Sequence, residues 1–153
     1  DLKKSFPYHD SATELNTHFL ASDIRNIAVG YWKRYHRSGV SMLKRAYDKA
    51  GIVSAQRIYR TIRGQRDKFF FLAGEFNRFG YILIGKQKFQ DAISLFQMGI
   101  DCFPKDWNLH DSLGEAYLKA GKKEQSIKHY RTSLKLNEKN ENARKVLAKL
   151  SAE

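Results

Sequence analysis

The sequence predicts an all-α fold, an α-α superhelix of stacked helical hairpins closed by a C-terminal capping helix. Three observations carry that reading. Apolar residues recur at three- and four-residue steps through most of the chain, as on amphipathic helices. Pro7 and Pro104 are the only prolines, and most of the ten glycines fall between the periodic segments, where helix punctuation belongs. The C-terminal half also repeats itself every 34 residues, as stacked two-helix units do.

The elements follow in order. Residues 1–10 show no period and contain Pro7, so they read as an extended arm. Residues 11–72 read as N-terminal helices that include a degenerate repeat, and 73–153 as two repeats and a cap, in one continuous helical domain. Ser11 and Glu14 have the spacing of a capping box, and Leu15, Phe19 and Leu20 follow. Ile24, Ile27, Ala28, Tyr31, Trp32 and Tyr35 share one face of a helix over about 22–37, stopped near Gly39. Ser41 then caps a helix with Leu43, Ala46, Tyr47 and Ala50 on one side, ended by Gly51. Ala55, Ile58, Tyr59 and Ile62 mark the next, ended by Gly64. Phe69, Phe70, Phe71 and Leu72 are apolar enough for a strand but have no partner nearby, so they read as the entry to another helix, and no strand is expected. Five helices complete the chain, over about 73–85, 88–102, 107–120, 123–136 and 141–151.

The repeat is read from residues in register. Gly80 and Gly114, Leu83 and Tyr117, Ala92 and Ser126, and Phe96 and Tyr130 are each 34 residues apart. This pattern resembles the tetratricopeptide repeat: a large residue, a Leu-Gly pair and a Tyr in the first helix, an Ala and an aromatic in the second, and a closing Pro. Residues 73–106 supply Phe76, Phe79-Gly80, Leu83, Ala92, Phe96 and Pro104. Residues 107–140 supply His110, Leu113-Gly114, Tyr117, Ser126 and Tyr130, with Glu138 in place of Pro. Small residues let two helices approach, and aromatics fill the gap to the next hairpin. Ala55 and Tyr59 repeat the second-helix spacing 37 residues before Ala92 and Phe96, although their first helix lacks the Leu-Gly pair. The last helix, with Ala143, Val146, Leu147 and Leu150 inward, is the expected cap.

Over residues 45–150 the resemblance is more specific. The strings FNRFGYILIGKQKFQDAISLFQMGIDCFPKDWN and LGEAYLKAG look like the C-terminal helical extension of bacterial exported hydrolases, mainly penicillin-binding-protein-like serine hydrolases and α/β-hydrolase esterases. The resemblance implies a helical appendage without catalytic machinery, in an exported or periplasmic setting; otherwise the chain is cytoplasmic. It begins at Asp1 and not at methionine, which reads as a processed protein or a piece of a longer one.

Chemistry finds little support. Cys102 is the only cysteine, too few for a disulfide or a thiolate zinc site within the chain. No two of the five histidines have the i,i+4 zinc spacing, so each reads as a surface or groove residue. Neither Gly-rich phosphate-loop pattern occurs, and no cofactor is expected. Ser41 and Lys44 have the Ser-x-x-Lys spacing of serine β-lactamases, but helix capping by Ser41 is the better reading. The apolar runs are too short to span a bilayer.

Net charge is +12 and uneven: between Asn26 and Lys68 eleven lysines or arginines face only Asp48 and Asp67. That favours anionic partners. Within this half, Tyr31-Trp32-Lys33-Arg34-Tyr35-His36-Arg37 interleaves aromatics with cations, as single-strand binders do. A basic nucleic-acid-binding domain is therefore the alternative function.

The leading reading is a non-catalytic scaffold for protein-protein interaction. The resemblance to tetratricopeptide repeats implies a concave face, lined by the first helix of each repeat, that holds a peptide. By register Asn77, Tyr81 and Ile84 line it, then Asn108, Asp111, Ser112, Glu115 and Lys119, then Asn142, Lys145 and Lys149 on the cap. The segment bound belongs to another protein, to the rest of a parent chain or to a second copy. Asn77, Tyr81 and Ser112 depart from the family's Lys/Asn carboxylate clamp, which argues against chaperone-tail binding.

Overall fold

A computed structural model of the chain describes residues 37–152. The arm expected at 1–10, the helix expected to start at Ser11, the helix expected over 22–37 except its last residue, and the aromatic-basic run at 31–36 lie outside the described residues. Within them the elements run β1 (Arg37–Ser38), α1 (Gly39–Ile62), β2 (Phe69–Phe70), α2 (Ala73–Gly85), α3 (Phe89–Cys102), α4 (Trp107–Lys119), α5 (Lys123–Leu136) and α6 (Glu141–Ala152). The last five match the bounds read from the sequence to within a residue or two, because glycine, proline or a capping side chain ends or starts each one.

α1 is a hairpin and not one rod. Ala50 (φ −151°) and Gly51 (φ +71°) leave helical geometry between its two halves. Gly39 and Tyr59 would lie about 30 Å apart on a straight helix at 1.5 Å per residue. Instead both meet Phe71: a Cβ on Gly39 would collide with the Phe71 ring, and the Tyr59 ring stands edge-on to it at 6.2 Å. The chain therefore folds back at Gly51. The later hairpins also turn on residues with positive φ, Gln87 (57°) and Gly121 (72°).

Two expectations are corrected here. Ser38, and not Ser41, caps α1: its hydroxyl accepts from Ser41 N at 3.1 Å. And a short parallel ladder exists, with Arg37 opposite Phe69 and Ser38 opposite Phe70. Parallel strands need a crossover, and the hairpin of α1 supplies one by returning the chain to its own start.

The core runs through all three hairpins. Leu43, Phe76, Leu83, Ala92, Leu95, Phe96, Leu109, Leu113 and Ala116 are at most 1% exposed. Within each later repeat the glycine packs on the aromatic sixteen residues on, Gly80 on Phe96 and Gly114 on Tyr130. A Cβ on Gly114 would lie 3.0 Å from the Tyr130 ring. In the first hairpin Leu43 stands where glycine would, and Tyr59 reaches across to α3. Its hydroxyl donates to Asp101 at 2.5 Å and lies 3.3 Å from Cys102 Sγ, while Arg63 donates to the same carboxylate at 2.8 Å. The bonds from Tyr59 and Arg63 hold the Asp101 carboxyl below its usual range.

Candidate peptide-binding face

α2, α4 and α6 are the first helix of the second hairpin, the first helix of the third and the cap. Their facing side chains form a hydrogen-bonded polar seam. Ser112 Oγ donates to Asn77 Oδ1 at 2.6 Å. The Tyr81 hydroxyl donates to Glu115 at 3.0 Å, and the Lys119 ammonium lies 3.6 Å from the same carboxylate. Burial, with Glu115 adding its charge, pushes the Tyr81 hydroxyl up to about 12. Between α4 and α6, Asp111 accepts from Asn140 at 2.7 Å and from Asn142 at 2.9 Å.

Asn140 is the hub of that junction. Its Oδ1 accepts from Ala143 N at 3.1 Å and so caps α6, while its amide also donates to Ser133 at 2.8 Å. Ser133 in turn donates to the Trp107 carbonyl. The sequence reading missed Asn140. An Asn directly before the Glu141–Ala152 helix is a capping signal, but its links to α4 and α5 depend on the stacking of the hairpins.

The expected groove residues divide into two sets. Tyr81 (40% exposed), Asn108, Lys119, Asn142, Lys145 and Lys149 are open to solvent, Glu115 and Asn77 half so. Ser112 is fully buried and Asp111 nearly so, both within the seam, and Ile84 belongs to the core. Ser112 and Asp111 engage their polar groups with Asn77, Asn140 and Asn142 within the stack, and Ile84 packs among apolar side chains. The reading also missed Arg78 and Ile82, on the open side of α2 beside Tyr81.

The histidine expectation changes as well. His110 is buried and His129 half-buried. Their Nδ1 atoms are 3.3 Å apart and their ring centroids 5.5 Å. The difference is about two ring radii, so the nitrogens meet head-on in an N–H···N bond. His110 Nε2 donates to the Pro104 carbonyl at 3.1 Å, and in a neutral imidazole that leaves Nδ1 to accept from His129. Burial, the neighbouring His110 and Lys128 pull His129 down to about 4. Among the described residues no group of three His, Cys, Asp or Glu is placed to hold a metal, and no helix is long and apolar enough to cross a membrane. Lys44 Nζ bonds Asp48 at 2.6 Å, so the ammonium is engaged away from the serine one turn earlier.

Residues 107–140, which hold α4 and α5, match the tetratricopeptide repeat family. No curated protein matches the chain. Among solved structures, that of Naa15/Naa10 bound to HypK-THB is similar over 74% of this chain and 17% of that one, with 18% identity and a TM-score of 0.51. At that identity the likeness is one of fold, and the chain folds as a tetratricopeptide-like helical repeat.

Proposed function

We infer that the chain is a non-catalytic scaffold that binds a peptide segment of protein along the face of α2, α4 and α6. The carrying observation is the seam. Its inner polar groups satisfy one another, which fixes the helices, while Tyr81 and Lys119, both held by Glu115 at its rim, and Asn108 and Lys145 stay open to solvent. A face already ordered loses little conformational entropy on binding. Tyrosine adds a large amphipathic contact at low entropic cost. The resemblance to exported hydrolases supports a partner within a longer chain, and a second copy is a third source of the same segment. Peptides selected from a displayed library should perturb backbone amide resonances on the open side of α2, α4 and α6. Perturbation confined to the outer faces of α3 and α5 would sink this reading.

One observation favours nucleic acid as a second reading. Arg45, Lys49, Arg57 and Arg60 are exposed on α1 and make no ion pair or hydrogen bond through their side-chain cations among the described residues. A solvated face of this kind gives weak, sequence-independent binding that collapses with added salt. Salt-resistant, sequence-selective retention of a single strand in a gel shift would favour this reading over the first.

A further inference from the structure

The repeat contains its own control for what happens between first helices. At the junction of α2 and α4, Ser112 and Ala116 are fully buried, and Ser112 bonds Asn77. Thirty-four residues earlier the same positions hold Arg78 and Ile82, which face the first hairpin. Neither is sealed: Arg78 is exposed, and Ile82 is 41% exposed. What remains between α1 and α2 is an open recess of about 150 Å³, lined mainly by Val40, Lys44, Glu75, Arg78, Phe79 and Ile82.

Its chemistry is that of a seat beside a cation. Val40 and Phe79 are each 4% exposed and form an apolar floor, with Ile82 as a wall. At the rim, Glu75 accepts from the Ser38 hydroxyl and Lys44 pairs with Asp48. Arg78 makes no ion pair or hydrogen bond through its guanidinium among the described residues. A space of about this volume has room for one benzene-sized group, and a guanidinium without a partner among the described residues can take a carboxylate bidentately.

We propose that this recess seats one aliphatic side chain of a bound peptide, while Arg78 pairs with a carboxylate on an adjoining residue. The partner is therefore an acidic segment with an apolar anchor. A basic peptide would bring like charge to Arg78, and a nucleic acid has no aliphatic side chain to fill the seat. The proposal rests on the scaffold reading above and names the chemistry of its ligand.

Fluorescence anisotropy on the full chain tests it with three short labelled peptides: one with leucine flanked by glutamates, one with that leucine replaced by serine, and one with the glutamates replaced by lysines. The first should bind, and the other two at least about tenfold more weakly. Arg78→Glu should weaken the first about tenfold and reverse the preference toward the lysine peptide, and Arg78→Ala should weaken it without the reversal. Arg78 is exposed, and circular dichroism checks that the fold is kept. No effect of Arg78→Glu, equal binding of the serine peptide, displacement by oligothymidine at equal strength, or no binding at about 1 mM peptide would each overturn it. Loss of peptide binding in Lys145→Glu but not in Arg78→Glu would overturn the recess and leave the wider face standing.

Discussion

At the scale of single residues, three positions carry costs that substitution can expose. Ser126 Oγ is fully buried with no hydrogen-bond partner, and the preceding repeat has Ala92 at the same place. An unpaired buried hydroxyl costs about 1–3 kcal/mol, so Ser126→Ala should raise stability by about 1 kcal/mol in a denaturant titration. A lowered midpoint would show that the hydroxyl has a partner in solution. Gln87 holds φ at 57° where the later turn has Gly121. Left-handed geometry costs a residue with a Cβ about 1–2 kcal/mol, offset in part by the greater freedom glycine has when unfolded. Gln87→Gly should therefore stabilise by a few tenths to about 1 kcal/mol, and a loss would mean that its side chain makes a contact worth more than the strain. His129 sets a pH dependence. Its folded value of about 4 lies below the ordinary histidine value near 6.5, so the unfolded chain takes up the proton first as pH falls. The full stability is present above about 6.5 and is lost progressively as the pH drops toward 4. Asp101, held below its ordinary carboxylate range, contributes at lower pH still. Thermal midpoints between pH 6.5 and 4 should fall in the parent and flatten in His129→Gln; parallel curves would exclude His129 as the source.

Elements are held together by pairs that differ in how easily the sequence reveals them. Gly114 and Tyr130 are one such pair, and Gly114→Leu would drive a side chain into a ring 3.0 Å from its first carbon. Overpacking of this sort costs about 1–3 kcal/mol. An unchanged midpoint would break the assigned register. That pairing was legible because it is local: both partners lie in adjacent helices of one hairpin, and the same sixteen-residue step joins Gly80 to Phe96. Asn140 shows the other case. Capping of α6 follows from its place before a periodic run, but its bonds to Asp111 and Ser133 join three helices. Removing it takes away a cap, about 1 kcal/mol, and strips a buried carboxylate of a donor, about 1–3 kcal/mol. Asn140→Ala should thus cost about 2–4 kcal/mol, and a loss no larger than that of a cap alone would mean that water replaces the amide at Asp111. Sequence reading placed Ser112 on an open face for the same reason that it missed these bonds. Whether a polar side chain meets solvent or a neighbouring helix is decided by the step from one hairpin to the next, which periodicity within a helix does not contain. Arg78 and Ile82 escaped notice likewise, since only the poorly matched first hairpin leaves them uncovered.

Across the whole molecule, stability should divide along the stack, because each hairpin touches mainly its neighbours. Phe71 lies at the join between the first hairpin and the rest, beside the bonds from Tyr59 and Arg63 to Asp101 and from Tyr47 to Asp91. The Phe71 ring lies against Gly39, edge-on to Tyr59, stacked with Phe76 at 5.9 Å and beneath the Arg66 guanidinium at 5.3 Å. None of this was visible in the sequence, where Phe71 read only as the entry to a helix and the strand pairing of Arg37–Ser38 with Phe69–Phe70 had no local signal. The third hairpin and the cap are tied in addition by the Asn140 links. Gly39→Ala places a methyl group where the Phe71 ring already sits. The ring is boxed in by Tyr59 and Phe76, so the first hairpin must yield, at about 1–3 kcal/mol. Hydrogen exchange followed by mass spectrometry should then show faster exchange across α1 and the β1–β2 pair, with the amides of α4 and α5 unchanged. Such a local response is what a chain of nearest-neighbour units gives. Equal loss of protection from α1 through α6 would instead show that the described residues unfold as one cooperative block. Phe71 would then be one contact among many and not part of a joint between the first hairpin and the remainder.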